Sequence, residues 1–118
     1  MNFNRNELST PDMFLHVYSG ISKEDLDRKI NDVLTTWGYK LKGGEKGQLI
    51  FEKGNRTLRL LAGAMAKYYK VSVQTTVVSP SEIKCEVRSQ SSGMSGGLIG
   101  MNQVKTEMRS LFGAFQDI

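Results

Sequence analysis

The stretch YKVSVQTTVVSPSEIKCEVRS, residues 69–89, carries the reading from which the fold follows. Tyr69, Val71, Val73, Thr75 and Val77 fall on one side of an extended chain, and Lys70, Ser72, Gln74 and Thr76 on the other. Ile83, Cys85 and Val87 alternate in the same way with Lys84, Glu86 and Arg88. A period of two with one apolar side is the pattern of a half-buried strand, and Ser79-Pro80-Ser81 between the two runs is turn chemistry. The segment predicts strands over Tyr69 to Val78 and Glu82 to Ser91, in an antiparallel sheet with one dry and one wet face.

Upstream, three more runs follow this pattern. Tyr39 to Lys42, Leu49 to Lys53 and Thr57 to Gly63 are expected strands, separated by Gly43-Gly44-Glu45-Lys46-Gly47, Gly54-Asn55-Arg56 and Ala64-Met65-Ala66-Lys67. Short connections make sequential strands antiparallel neighbours. Met13 to Tyr18 adds a further apolar strand, with Pro11-Asp12 before it; residues 1–10 form a polar arm, ordered or not.

Two segments change period. Between Ile21 and Gly38, Leu26, Ile30, Val33, Leu34 and Trp37 recur at helical spacing, opposite Lys23, Asp27, Arg28, Asn31 and Asp32. Ser22 can cap the amide three residues on, Glu24 and Asp25 complement the helix dipole, Ile21 and Leu26 suit a hydrophobic staple, and Gly38 stops the helix. From about Gly100 to Phe115, Met101, Val104, Met108, Leu111, Phe112 and Phe115 form a second apolar stripe, with Gln103, Lys105, Glu107 and Arg109 mostly on the other side. Two amphipathic helices and one alternating sheet bury their apolar faces most simply as a two-layer α+β sandwich. The expected order is strand, helix, five strands, helix, which gives an antiparallel sheet of about six strands.

That order resembles the TATA-binding-protein-like and helix-grip arrangements, in which a curved sheet wraps a long final helix. Gly38-Tyr39, the strand end Gln90-Ser91-Ser92-Gly93 and Gly96-Gly97-Leu98-Ile99-Gly100 at the last helix are similar to small bacterial domains of this kind. The resemblance implies an architecture spanning nearly the whole chain and no particular activity.

Composition sets the remaining bounds. The chain has 118 residues, enough for one domain with its own core, and 16 Lys and Arg against 12 Asp and Glu leave a net charge of +4. One cysteine and one histidine exclude an internal disulfide framework and leave no set of ligands for a zinc site. With no signal-like or membrane-length apolar run, and a lone Cys85 that suits a reducing compartment, the expected location is cytoplasmic and not transmembrane. Asn55-Arg56-Thr57 is then turn chemistry and not a glycosylation acceptor.

Three features carry the functional expectations. The glycines of the loop before the last helix, Gly93, Gly96, Gly97 and Gly100, would allow backbone amides to cradle an anion, but no Lys-Ser/Thr pair or parallel strand unit completes a phosphate loop. The wet sheet face collects Lys40, Lys42, Arg59, Lys70, Lys84 and Arg88 against Glu52 and Glu86, a basic surface for phosphates that lacks the aromatic residues on which bases stack. Leu61, Met65, Met101, Met108 and Phe112 could form the lip of an apolar pocket or a subunit contact.

No catalytic constellation emerges: Cys85 is expected in the core, where a thiol is inert, and His16 is tied to no nucleophile by local spacing. The reading is a non-enzymatic binding or interaction module with no cofactor and no metal. It would contact a protein partner, itself or a small apolar ligand through the sheet and last helix, the alternative being weak nucleic-acid or anionic-surface binding by the basic face.

Overall fold

A computed structural model describes residues 2–45, 48–54, 68–90 and 97–118. Among these, β1 spans Phe3–Thr10, β2 Met13–Ser19, α1 Lys23–Thr36, β3 Lys40–Glu45, β4 Gln48–Gly54, β5 Tyr68–Ser79, β6 Glu82–Ser89, and the final helix, α2, Gly97–Gln116. The strands form one antiparallel sheet in the order β1-β2-β6-β5-β4-β3. The chain leaves the β1–β2 hairpin through α1, starts again at the far edge, and meanders back until β6 closes against β2. Both helices pack on one sheet face, giving a two-layer α+β sandwich.

The caps of α1 form as their residue types dictate. The Ser22 hydroxyl accepts from the Asp25 amide at 3.1 Å. At the other end, Gly38 adopts φ +93°, its amide donates to the Thr35 carbonyl, and Tyr39 donates to Leu34 at 2.8 Å, the paired bonds of a glycine-terminated helix. Leu26, Ile30 and Leu34 are buried, each contributing roughly 1.5–3 kcal/mol of apolar transfer. Val33 and Trp37 pack partly against the same core. Thr75 on β5 reaches across to donate to Asp27 at 2.8 Å, tying α1 to the sheet.

The predicted dry face is present. Phe14, His16 and Tyr18 stand opposite Val87, Cys85 and Ile83, which in turn oppose Val73, Thr75 and Val77. Two residues depart from the expected faces: Val77, at the end of its row, is 53% exposed, and Ser72, expected on the wet face, is buried. Leu49 and Phe51 of β4 continue these rows against Val73 and Val71. Val104, Met108, Leu111 and Phe115 of α2 close the core over them.

Three expectations need correction. The polar opening is the edge strand β1, not an arm; register shifts between Phe3 and Arg5 and between Asn6 and Leu8 break the alternation by which a strand is recognised. The order among the described residues is therefore two strands, helix, four strands, helix, and β4 pairs directly with β5. The expected strand Thr57 to Gly63 lies outside the described residues. Finally, α2 begins at Gly97, so Gly97 and Gly100 belong to its first turn and not to a loop.

Candidate functional site

Several basic side chains of the wet face are paired with carboxylates, and β1 brings one of these, Glu7, together with a further cation, Arg5. Arg5 pairs with Glu82 at 2.8 Å and with Glu7 at 2.9 Å, and Glu7 also takes Lys84 at 3.0 Å. Lys84 and Arg5 together hold Glu7 below the usual carboxylate range, and Arg5 does the same for Glu82. Arg88 is paired with Glu86 at 2.6 Å. Lys40 and Lys70 flank Glu52 in the β3–β4–β5 register, while Lys42 is exposed at a bulge of the edge strand. Arg59 lies outside the described residues. Val17, between Arg5 and Lys84 in the ladder, is fully buried although it belongs to this face. The ionic lattice is thus also a lid, with long side chains covering apolar surface.

A second cluster ties β4 to α2. Lys53 bonds Glu107 at 3.1 Å, Tyr39 donates its hydroxyl to the same carboxylate oxygen at 2.7 Å, and the Lys53 ammonium lies 5.4–5.7 Å from the ring centres of Trp37, Tyr39 and Tyr69. Glu107 is only 11% exposed, and these bonds offset the cost of burying its oxygens. Burial, then the Glu107 contact, drives the Tyr39 phenol far above its ordinary value.

On the dry face, His16 is buried among the rings of Phe3, Phe14, Tyr18 and Phe112. Its Nε2 lies 3.1 Å from the Phe112 carbonyl oxygen, and its Nδ1 faces the Asn6 amide nitrogen at 3.1 Å. A carbonyl can only accept and an amide NH2 can only donate, so the imidazole is neutral and carries its proton on Nε2. Burial lowers its pKa from the ordinary 6.5, against the bond to the Phe112 carbonyl. Tyr18 likewise donates to the Phe115 carbonyl at 2.6 Å. Two side chains of β2 therefore hold carbonyls in the last turns of α2.

This anchoring shapes the candidate site. Between the β1–β2 turn and α2 lies an open-mouthed pocket of about 440 Å³. Phe14, Met108 and Phe112 form its apolar wall, Ser9, Thr10 and Pro11 its hairpin side, and Lys105 and Arg109 its rim. The Phe14 and Phe112 rings meet edge-on at 5.5 Å. Neither Lys105 nor Arg109 has an ion-pair partner among the described residues, unlike Arg5, Lys84 and Arg88. A shallower groove of about 300 Å³ runs between α1 and α2, beside Val33, Trp37 and Ala114.

Of the residues expected at an apolar pocket, Met108 and Phe112 meet there. Leu61 and Met65 lie outside the described residues, as do Gly93 and Gly96 of the expected anion loop, and Met101 is placed only as a position on α2. Missing from the expectation were Phe14, the hairpin residues and the two rim cations. A signal for the cations exists: Lys105, Met108, Arg109 and Phe112 stand at i, i+3, i+4 and i+7, which puts them along one edge of the helix. Nothing local announces that the β1–β2 turn would face that edge.

Among the described residues no group of three His, Cys, Asp or Glu side chains could hold a metal ion, and no helix is long and apolar enough to cross a membrane. No protein-family model matches the chain, and no curated protein matches it.

Proposed function

We propose that this α+β sandwich is a non-catalytic binding module that takes a small apolar ligand between the β1–β2 hairpin and α2. The observation that carries the reading is the pocket itself: about 440 Å³, walled by Phe14, Met108 and Phe112. Its volume lies within the range of roughly 300–1,000 Å³ of small-molecule sites, and its mostly apolar wall with a few polar groups at one end has their usual composition. Methionine adds a wall that adapts to ligand shape. A cytoplasmic setting belongs to the same proposal, supported by the single, unpaired and buried Cys85. Nucleic-acid binding by the sheet face has less support, because Lys84 and Arg88 are already engaged by carboxylates.

Titration with octanol, followed by the methyl resonance of Met108, tests the reading. The Met108 signal is expected to shift saturably, and a Ser9→Trp variant, which places an indole in the pocket, is expected to abolish the shift while keeping the melting temperature. No movement of Met108 up to the solubility limit of octanol would remove the proposal.

A further inference from the structure

Lys105 and Arg109 stand one turn apart on α2, both exposed, at the mouth of the apolar pocket. Like charges at this spacing disfavour a helix slightly. No carboxylate offsets them among the described residues: Glu107, the acid between them in sequence, faces the other side of the helix, where Lys53 and Tyr39 hold it. Ser9 and Thr10 line the hairpin side of the pocket. The site thus has an apolar wall of Phe14, Met108 and Phe112 and, beside it, two exposed cations that no described residue pairs.

From this complementarity we infer that the ligand is an amphiphile with an anionic head, its chain against Phe14, Met108 and Phe112 and its carboxylate or phosphate at Lys105 and Arg109. The guanidinium of Arg109 can offer two parallel donors to either oxyanion, and Lys105 adds a point charge. The inference rests on the pocket reading above and adds the chemical class of the ligand. It also assigns the helix edge a specificity role: the apolar wall accepts any chain of suitable size, whereas the rim discriminates by charge.

The test compares octanoate, octyl phosphate, octanol and octylammonium on the intact protein, each followed at the Met108 methyl. At least one anion is expected to bind about fivefold or more tighter than octanol, since two partly exposed ion pairs supply that much. Octylammonium should bind more weakly than octanol. The advantage of the anion should shrink between about 0.05 and 0.5 M NaCl as charge is screened. Which anion binds tighter identifies the head as a carboxylate or a phosphate monoester. In a Lys105→Gln, Arg109→Gln variant the anion should fall to the affinity of octanol, with octanol itself unchanged. Equal binding of octanol and both anions would overturn the inference and leave the pocket reading standing. Binding by none of the four would overturn both. Concentration-dependent shifts of Met108 without ligand would assign the face to a second copy of the chain and overturn it as well.

Discussion

His16 stands directly opposite Cys85 across the β2–β6 ladder, and neither side chain reaches solvent. An imidazole beside a thiol is the pairing of a cysteine nucleophile, yet here burial drives the two groups away from the ion-pair state. Cys85 is held well above its ordinary thiol value by desolvation and then by Asp27, while His16 is lowered. The neutral thiol and neutral imidazole are core residues. A maleimide should therefore label Cys85 in the folded protein at least about a hundredfold more slowly than in denaturant, since access requires opening of the core. Labelling at the rate of an exposed cysteine, read by mass spectrometry, would contradict this arrangement.

His16 also sets an acid limit. Its folded pKa lies below the ordinary 6.5, so the unfolded chain binds the proton more readily. Stability from this residue is complete above pH 6.5 and is lost as pH falls from there towards the folded value. Denaturant unfolding between about pH 7 and pH 5 should show that slope, and His16→Gln, which cannot titrate, should remove it. Stability that stays flat across this window in the parent protein would refute the assignment.

Tyr18 and Tyr39 should resist ionisation at high pH. Tyr18 and Tyr39 are both raised, by burial first and, for Tyr39, by Glu107 second. An ultraviolet titration should leave these two phenols un-ionised until the protein unfolds. Stability falls as pH rises above the ordinary tyrosine value of 10, because only the unfolded chain then releases those protons. Replacing Tyr39 by Phe removes the 2.7 Å bond to Glu107 and should cost about 2 kcal/mol, as expected for a hydrogen bond to a charged acceptor. A cost near zero would mean that the Tyr39 hydroxyl adds nothing to the other groups that hold Glu107.

Among the glycines Gly20, Gly38, Gly43, Gly44 and Gly113, Gly44 is the one least open to substitution. It adopts φ +135°, and an added Cβ would lie 2.8 Å from the Leu49 Cα and closer still to the Gln48 carbonyl oxygen. Gly44→Ala should destabilise the β3–β4 hairpin by about 1–3 kcal/mol through strain that no side-chain movement relieves. By contrast Gly113, where an added Cβ would meet nothing within 4 Å, should accept alanine with a gain of up to about 1 kcal/mol from helix propensity. Thermal melts of the two variants compare them directly, and equal melting temperatures would count against the hairpin geometry.

What could be recognised in the chain was local. Ser22, the apolar stripe from Leu26 to Leu34 and Gly38 specify α1 with both of its caps, because capping and helical periodicity act within a few residues. The alternation of residues 69–89 likewise specifies a hairpin and most of its two faces, because side chains on a strand must alternate; exposed Val77 and buried Ser72 are the departures, since burial depends on which elements cover each position. The same logic failed at β1, where two bulges disturb the period and polar residues pair with an edge rather than fill a core.

Pairings between distant segments lay beyond any local pattern. The ion pairs of the sheet face could not be read without β1, which brings both Arg5 and Glu7 and so engages Glu82 and Lys84. Tyr39, Lys53 and Glu107 come from three elements and meet only once α2 packs across the sheet. The pocket is a more extreme case, since one wall is the β1–β2 turn and the other an edge of α2. Helical and strand periods specify which side of an element is apolar, but not which other element covers it; here the antiparallel register and the anchoring of α2 by His16 and Tyr18 set that choice.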